Sequence, residues 1–357
     1  MKRFSFAAGP CPIPPEVKKQ VAEDVREWKG CGVSALELPF TGDEFAEILE
    51  SAESDLRSLI EIPRSHKILF LQGGATAQFA LVPMNLARVG WHCDYVESGY
   101  WSRRAIEEAA SWWDVRVIAS GAAGRVPNFD EWRRNSDAAY CHFTSNESAD
   151  GLQFHEFPQG GKAPLVVDMT GDFLTRPIPV EQLGLVYASA LKSLGASGLT
   201  IVIVRADLLV RGSSGGIPAP FDLARQTAAR SKVNTPPMLA ILVAARMLRW
   251  LVEGGGISTA FLRSQERSAN LYSIIDGSGF YRCDAAPDAR SRVNVCFRLP
   301  DPELEESFAH EAEALGLLHL RGHKRVGGLR ASFYNSTADE AVDGLLEFMT
   351  NFMRRNG

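Results

Sequence analysis

Two hydrophobic patterns alternate along the chain. Val17, Val21, Val25 and Trp28 recur at helical spacing between Glu16 and Lys29, and a second helical stretch runs from Asp43 to Ile60, with Thr41 or Asp43 as its cap. Short apolar runs follow at Lys67–Leu71, Asp94–Val96, Val115–Ala119, Ala138–Phe143, Leu165–Asp168, Leu185–Ala190 and Leu199–Val204. Each is strand-sized, several are apolar on both faces, and helical or loop segments separate most of them. That pattern predicts a mostly parallel sheet covered by helices on both sides. Ahead of it, Pro10, Pro12, Pro14 and Pro15 mark residues 1–15 as an extended arm rather than an element.

Beyond Asn234 the character changes. Pro236–Val252 reads as a strongly apolar helix, Gly254-Gly255-Gly256 as a break and Ile257–Ile275 as another helix. Strand-like Arg292–Leu299, Leu317–Arg321 and Gly328–Tyr334 then alternate with helices over Pro302–Leu315 and Asp339–Arg355. The expected organisation is an arm (1–15), a large α/β domain (16–255) and a smaller α+β domain (256–357), without internal repeats.

Composition narrows the function classes. At roughly 150 residues per domain, 357 residues also give about two domains. A formal net charge of −5 argues against a binder of nucleic acid or anionic membrane, which would carry a basic excess. The six cysteines stand singly with no CxxC pair, so they read as buried free thiols in a reducing compartment. The N-terminus shows no signal-peptide core, and no apolar run approaches the roughly 18 residues of a membrane span. The expected location is the cytoplasm.

Four places carry candidate chemistry. Gln72-Gly73-Gly74-Ala75-Thr76 follows a strand and opens a helix; it is either a plain tight turn or a phosphate cradle of backbone N–H groups. Asp168 ends a buried strand, where ligand-facing residues of open α/β sheets lie; it is either a loop or cap acid or the partner of a cation. Lys192 lies between an apolar strand and a small-residue turn, where a lysine is solvated at the surface or used covalently. Trp101, in Gly99-Tyr100-Trp101, packs in a core or stacks on a planar group. Cradle, aromatic, acid and lysine together match what pyridoxal 5′-phosphate requires: an acid that keeps the pyridine nitrogen protonated and a lysine that holds the aldehyde.

At these residues the chain resembles the phosphoserine aminotransferase family, in class V of the fold-type I pyridoxal-phosphate enzymes. The resemblance covers nearly the whole sequence and is most specific at Asn234-Thr235-Pro236-Pro237 and Gly327-Gly328-Leu329-Arg330-Ala331-Ser332. It implies an α/β fold with a mostly parallel seven-stranded sheet in the large domain and a smaller α+β C-terminal domain. Lys192 would form the Schiff base and carry the proton, Asp168 bind the pyridine nitrogen, Trp101 stack on the ring and Ser148 meet the ring oxygen. Ala75 and Thr76 would hold the phosphate. Asn234 and Thr235 would reach the phosphate in the neighbouring subunit, implying a homodimer with shared sites. Arg330 would grip the substrate α-carboxylate.

The chain departs from the family around the substrate's phosphate. Phe40-Thr41 stands where the family has a His-Arg pair reaching in from the partner subunit, and Thr76 where it has an arginine. His323 is kept but followed by Lys324 instead of arginine. Leu191 replaces a glutamine that bonds the cofactor phosphate, with Ser193 a candidate substitute. These changes predict an aminotransferase that binds its amino or 2-oxo acid through Arg330, His323, Lys324, Phe40 and Thr41 and takes a less anionic substrate than 3-phosphohydroxypyruvate. Two alternatives stand beside it. Lys324, Arg325 or Arg321 could restore an ordinary phosphoserine aminotransferase using L-glutamate, or the same cofactor residues could serve elimination, decarboxylation or Cβ substitution. A non-catalytic binding protein is disfavoured by retention of Lys192, Asp168, Trp101 and Arg330.

Overall fold

The computed structural model describes residues 2–210 and 216–357. Seven strands form the central sheet, in the order His66–Gln72, Leu199–Arg205, Leu185–Ser189, Leu165–Asp168, Cys141–Thr144, His92–Glu97 and Asp114–Ser120. Only Leu199–Arg205 runs against its neighbours. The fold is α/β with a mostly parallel sheet, as the apolar runs predict. Alternate residues of these strands feed two cores. Cys141, Phe143, Leu165 and Val167 pack on one face, and Tyr95, Val166 and Tyr187 on the other, so strands apolar on both faces are buried on both.

The two N-terminal helices, Pro15–Arg26 and Asp43–Leu59, lie where the spacing predicts. Their ends differ from expectation. Neither Thr41 nor Asp43 caps the second helix: the Gly42 N–H closes a turn onto the Pro39 carbonyl, which makes Gly42 the N-cap with no side-chain acceptor. Asp43 and Glu44 instead sit in the first turn, where negative charge meets the positive end of the helix dipole.

The arm is not structureless. Phe4–Ser5 forms a strand parallel to Leu317–Leu318, and Phe6 enters the C-terminal core with Leu271, Phe308 and Phe333. The run Leu317–Arg321 is correspondingly two strands in two sheets. Leu317–Leu318 pairs with the arm, His319 turns the chain at φ +65°, and Arg321–His323 pairs with Gly327–Ser332. The long helix Gly256–Ser278 begins at the expected glycine break and contributes to both cores, through Ile257 and Ala260 at one end and Leu271 and Ile275 at the other. No helix among the described residues is long and apolar enough to cross a membrane.

Candidate active site

Register places the candidate residues at one edge of the sheet. Thr144 pairs with Asp168 and Asp168 with Tyr187, so the last residues of two neighbouring strands meet beside the third, which runs two residues further to Ser189. Directly after Leu185–Ser189, the short helix Ala190–Ser193 carries Lys192, three residues past the strand's end. The turns after His66–Gln72 and His92–Glu97 bring Thr76 and Trp101 to the same edge. A cavity of about 290 Å³ opens there, walled by Thr76, Trp101, Asp168, Leu191 and Lys192, with Ala8 and Gly9 of the arm closing one side.

Lys192 is buried, and its ammonium donates to Ser148 Oγ at 2.9 Å. The Trp101 indole N–H donates to that same oxygen at 3.0 Å, and Lys192 Nζ lies 5.8 Å from the indole centroid. Burial pushes the Lys192 amine down to about 8; the Asp168 carboxylate pulls it back up, and the Arg330 guanidinium opposes that. Asp168 is buried and accepts from the Thr170 N–H at 2.9 Å. Burial raises its carboxyl above the ordinary range, while the Thr170 bonds and Lys192 lower it. Thr144 Oγ1, on the cavity wall beside Asp168, is buried with no protein partner. An unpaired hydroxyl in a largely apolar wall suits a heteroaromatic ligand carrying a polar substituent.

At the mouth, Gly73 takes φ +104° and lets the chain turn from the strand into the helix Ala75–Leu86. The N–H groups of Ala75 and Thr76 belong to its first turn and have no intrahelical acceptor, which is the arrangement an anion needs. Arg330 donates through Nη1 to the Ser148 carbonyl at 2.8 Å, while its Nε is buried without a partner. The Nε–H is therefore a donor with no acceptor among the protein's own groups.

Not every candidate converges. His323 packs on Tyr100 with ring centroids 4.4 Å apart, whereas Lys324 is exposed. Phe40 packs against the main core and Thr41 is exposed; neither lines this chain's own cavity. Asn234 accepts from Gln226 Nε2 at 3.3 Å, and the Thr235 carbonyl accepts from Gln72, so this pair also lies apart from the cavity. Ser193 is not among the cavity's lining residues, and its hydroxyl donates to the Phe173 carbonyl at 2.5 Å. Arg321 is not a spare cation either, being held by Glu306 at 3.0 Å and Glu313 at 2.7 Å.

The sequence reading missed the carboxylates behind Trp101. Glu147 is buried and accepts from the Trp101 N–H at 2.7 Å, the Ser102 N–H at 2.9 Å and the Ser98 hydroxyl at 3.1 Å. Asp150 accepts from the Tyr100 N–H at 2.9 Å. Burial pushes Glu147 up to about 7, against the pull of those hydrogen bonds. The available signal was an acid in a polar string just past an apolar strand, close to the strand-end position that marked Asp168.

Comparison with known proteins agrees with this geometry. The Aminotransferase class-V family profile matches residues 3–345. Proteins named phosphoserine aminotransferase from Laribacter hongkongensis and Azotobacter vinelandii are 45% and 44% identical, over 100% of this chain and 100% and 99% of theirs. The solved phosphoserine aminotransferase from Bacillus circulans subsp. alkalophilus superposes with a TM-score of 0.97 at 38% identity, covering 100% of this chain and 99% of that one. The pyridoxal-phosphate-bound phosphoserine aminotransferase from Trichomonas vaginalis superposes with a TM-score of 0.94 at 33% identity, over 98% and 100%. This chain belongs to the class-V aminotransferases, within their phosphoserine aminotransferase family.

Proposed function

We propose that this transaminase uses pyridoxal 5′-phosphate to move an amino group from L-glutamate to 3-phosphohydroxypyruvate. The observation that carries the reading is the convergence of Lys192 and Trp101 on Ser148 Oγ in one cavity above Asp168. Full-length identity of 42–45% to phosphoserine aminotransferases supports the choice of substrates.

In this reading the Ala75 and Thr76 N–H groups hold the cofactor phosphate, Asp168 its pyridine nitrogen, Ser148 its ring oxygen and Trp101 one face of its ring. Once bound, the cofactor is the electron sink for the pair left when the substrate's Cα–H bond breaks. Lys192 is the base that takes this proton and the acid that returns it. A lysine amine held near 8 changes protonation at little cost at working pH, which an amine at 10.5 does not. Arg330 orients the substrate by its α-carboxylate through the free Nε edge. We place Asn234 and Thr235 at the phosphate of a second copy, making the enzyme a homodimer, and the six unpaired cysteines support a cytoplasmic setting.

A second reading has its own observations: the acceptor carries a less anionic side chain. Thr76 brings no charge to the cavity wall, Leu191 makes that wall apolar, and Arg321 is already paired twice. Charge-assisted contacts contribute about 1.5–3 kcal/mol each, so losing two would cost roughly two to four powers of ten. Steady-state kcat/KM for 3-phosphohydroxypyruvate, measured beside 2-oxo acids with neutral side chains and L-glutamate as donor, separates the two. Preference for the phosphorylated acid supports the first reading. A neutral acid preferred by ten-fold or more overturns it in favour of the second.

A further inference from the structure

Trp101 is held at both ends by consecutive residues, Glu147 at the end of the short strand Asn146–Glu147 and Ser148 in the turn after it. Its indole N–H reaches Ser148 Oγ at 3.0 Å, and its backbone N–H reaches Glu147 Oε2 at 2.7 Å. Trp101 is the second residue of the helix Tyr100–Ala110, so its N–H is one of the helix-start donors that need an outside acceptor. Glu147 supplies that acceptor for Trp101 and Ser102 together and also receives the Ser98 hydroxyl, while Asp150 takes the Tyr100 N–H. The approach is close enough to dictate Gly99. A Cβ there would come within 2.7 Å of Glu147 Cγ and 2.8 Å of Asp150 Oδ2.

We infer that Glu147 is a positioning residue: its buried carboxylate fixes where the Trp101 indole stands over the cofactor ring, and so sets how tightly the cofactor is kept. The inference rests on the proposed placement of Trp101 against the cofactor. Capping of this helix start is shared: Asp150 takes the Tyr100 N–H, and Glu147 takes the next two. What Glu147 adds is a bond to the backbone of the stacking residue itself, made by the neighbour of the residue that holds its indole. The helix is thereby clamped in depth and rotation relative to Ser148 and Lys192. An amide in place of the carboxylate keeps the shape but turns one oxygen into a donor facing other donors.

The test is the cofactor dissociation constant, followed by the visible absorbance of the bound cofactor, in a double-mutant cycle. E147Q is expected to weaken cofactor binding about 10-fold or more, the scale of one lost hydrogen bond to a charged acceptor. G99A, which leaves Glu147 in place but drives a methyl against it, is expected to act in the same direction and serves if E147Q does not fold. In a W101A background both effects should fall below about two-fold, because there is no indole left to place. A wholly structural role would weaken binding by the same factor with or without the indole, and that result overturns the inference. So does wild-type affinity in both E147Q and G99A. If W101A alone leaves the affinity unchanged, the placement of Trp101 falls, and this inference with it.

Discussion

The buried amine of Lys192 makes a stability prediction with an unusual sign: in the cofactor-free protein, removing it should stabilise the fold. Its amine falls from 10.5 to about 8, chiefly through burial. At ~1.4 kcal/mol per unit, holding the ammonium in the folded state at pH 7 costs about 3 kcal/mol relative to the unfolded chain. Lys192→Met keeps most of the side-chain volume and removes that cost. It also forfeits the bond to Ser148, roughly 1–2 kcal/mol. The net expectation is a variant about 1–2 kcal/mol more stable at pH 7. The pH dependence follows from linkage. Below pH 8 both states hold the proton and the full penalty applies. Between 8 and 10.5 the unfolded state binds more protons than the folded one, so wild-type stability rises relative to the variant; above 10.5 the penalty is gone. Urea unfolding of both cofactor-free proteins, at one protein concentration and at pH 7, 9 and 10.5, measures this directly. Titrating groups that do not face Lys192 are common to the pair and cancel in the difference; Asp168, whose carboxyl Lys192 lowers, does not, so the slope between pH 8 and 10.5 rather than the offset at pH 7 isolates the amine. A variant less stable at pH 7 by an amount that stays constant to pH 10.5 would refute the reasoning.

The same amine should govern loading. The rate at which cofactor-free protein takes up pyridoxal 5′-phosphate is expected to rise about ten-fold per pH unit below 8 and to level off above it, read by stopped-flow absorbance. Arg330→Lys keeps the charge but loses the Nε edge, so KM for the amino acid should rise by roughly 10- to 100-fold while cofactor affinity stays within about two-fold. Arg176 and Asp172 form a buried pair at 2.9 Å. Arg176→Ala leaves that carboxylate without its cation and should cost about 3–5 kcal/mol in denaturant unfolding.

The sheet was legible because its strands are short, apolar on both faces and separated by polar turns; Leu165–Asp168 was bounded to the residue. What failed was non-local or set by a single dihedral. Nothing in Leu317–Arg321 announces that its first half pairs with a two-residue strand more than 300 positions away, or that His319 turns the chain between two sheets. The site divides in the same way. Asp168 ends an apolar strand, and Lys192 and Trp101 follow within four residues of one, where position suggests chemistry. Glu147 acts through Ser98, Trp101 and Ser102, more than 40 residues away in the chain, and reads locally as one polar residue in a loop. Ser193, one step beyond Lys192, leaves the helical turn in a different direction and donates to the Phe173 carbonyl.

Ser148 shows why the cofactor half of this site can stay intact while the half that meets the substrate's side chain differs. Its hydroxyl receives Lys192 and Trp101, and its carbonyl receives Arg330. The proposed proton carrier, stacking ring and carboxylate grip are thus referred to one turn residue, and Glu147 beside it holds the start of the helix that bears the ring. A change at any of these positions disturbs several contacts at once. Phe40, Thr41 and Lys324 share none of them: Phe40 packs on the main core, and the other two are exposed. Charge can therefore be gained or lost around the substrate's side chain without moving the atoms that hold the cofactor. By this argument, Thr76→Arg should change kcat/KM for an anionic acceptor relative to a neutral one while leaving cofactor affinity within about two-fold, since the first-turn N–H groups it would use belong to the backbone. A parallel loss of cofactor would show that the two halves are not separable.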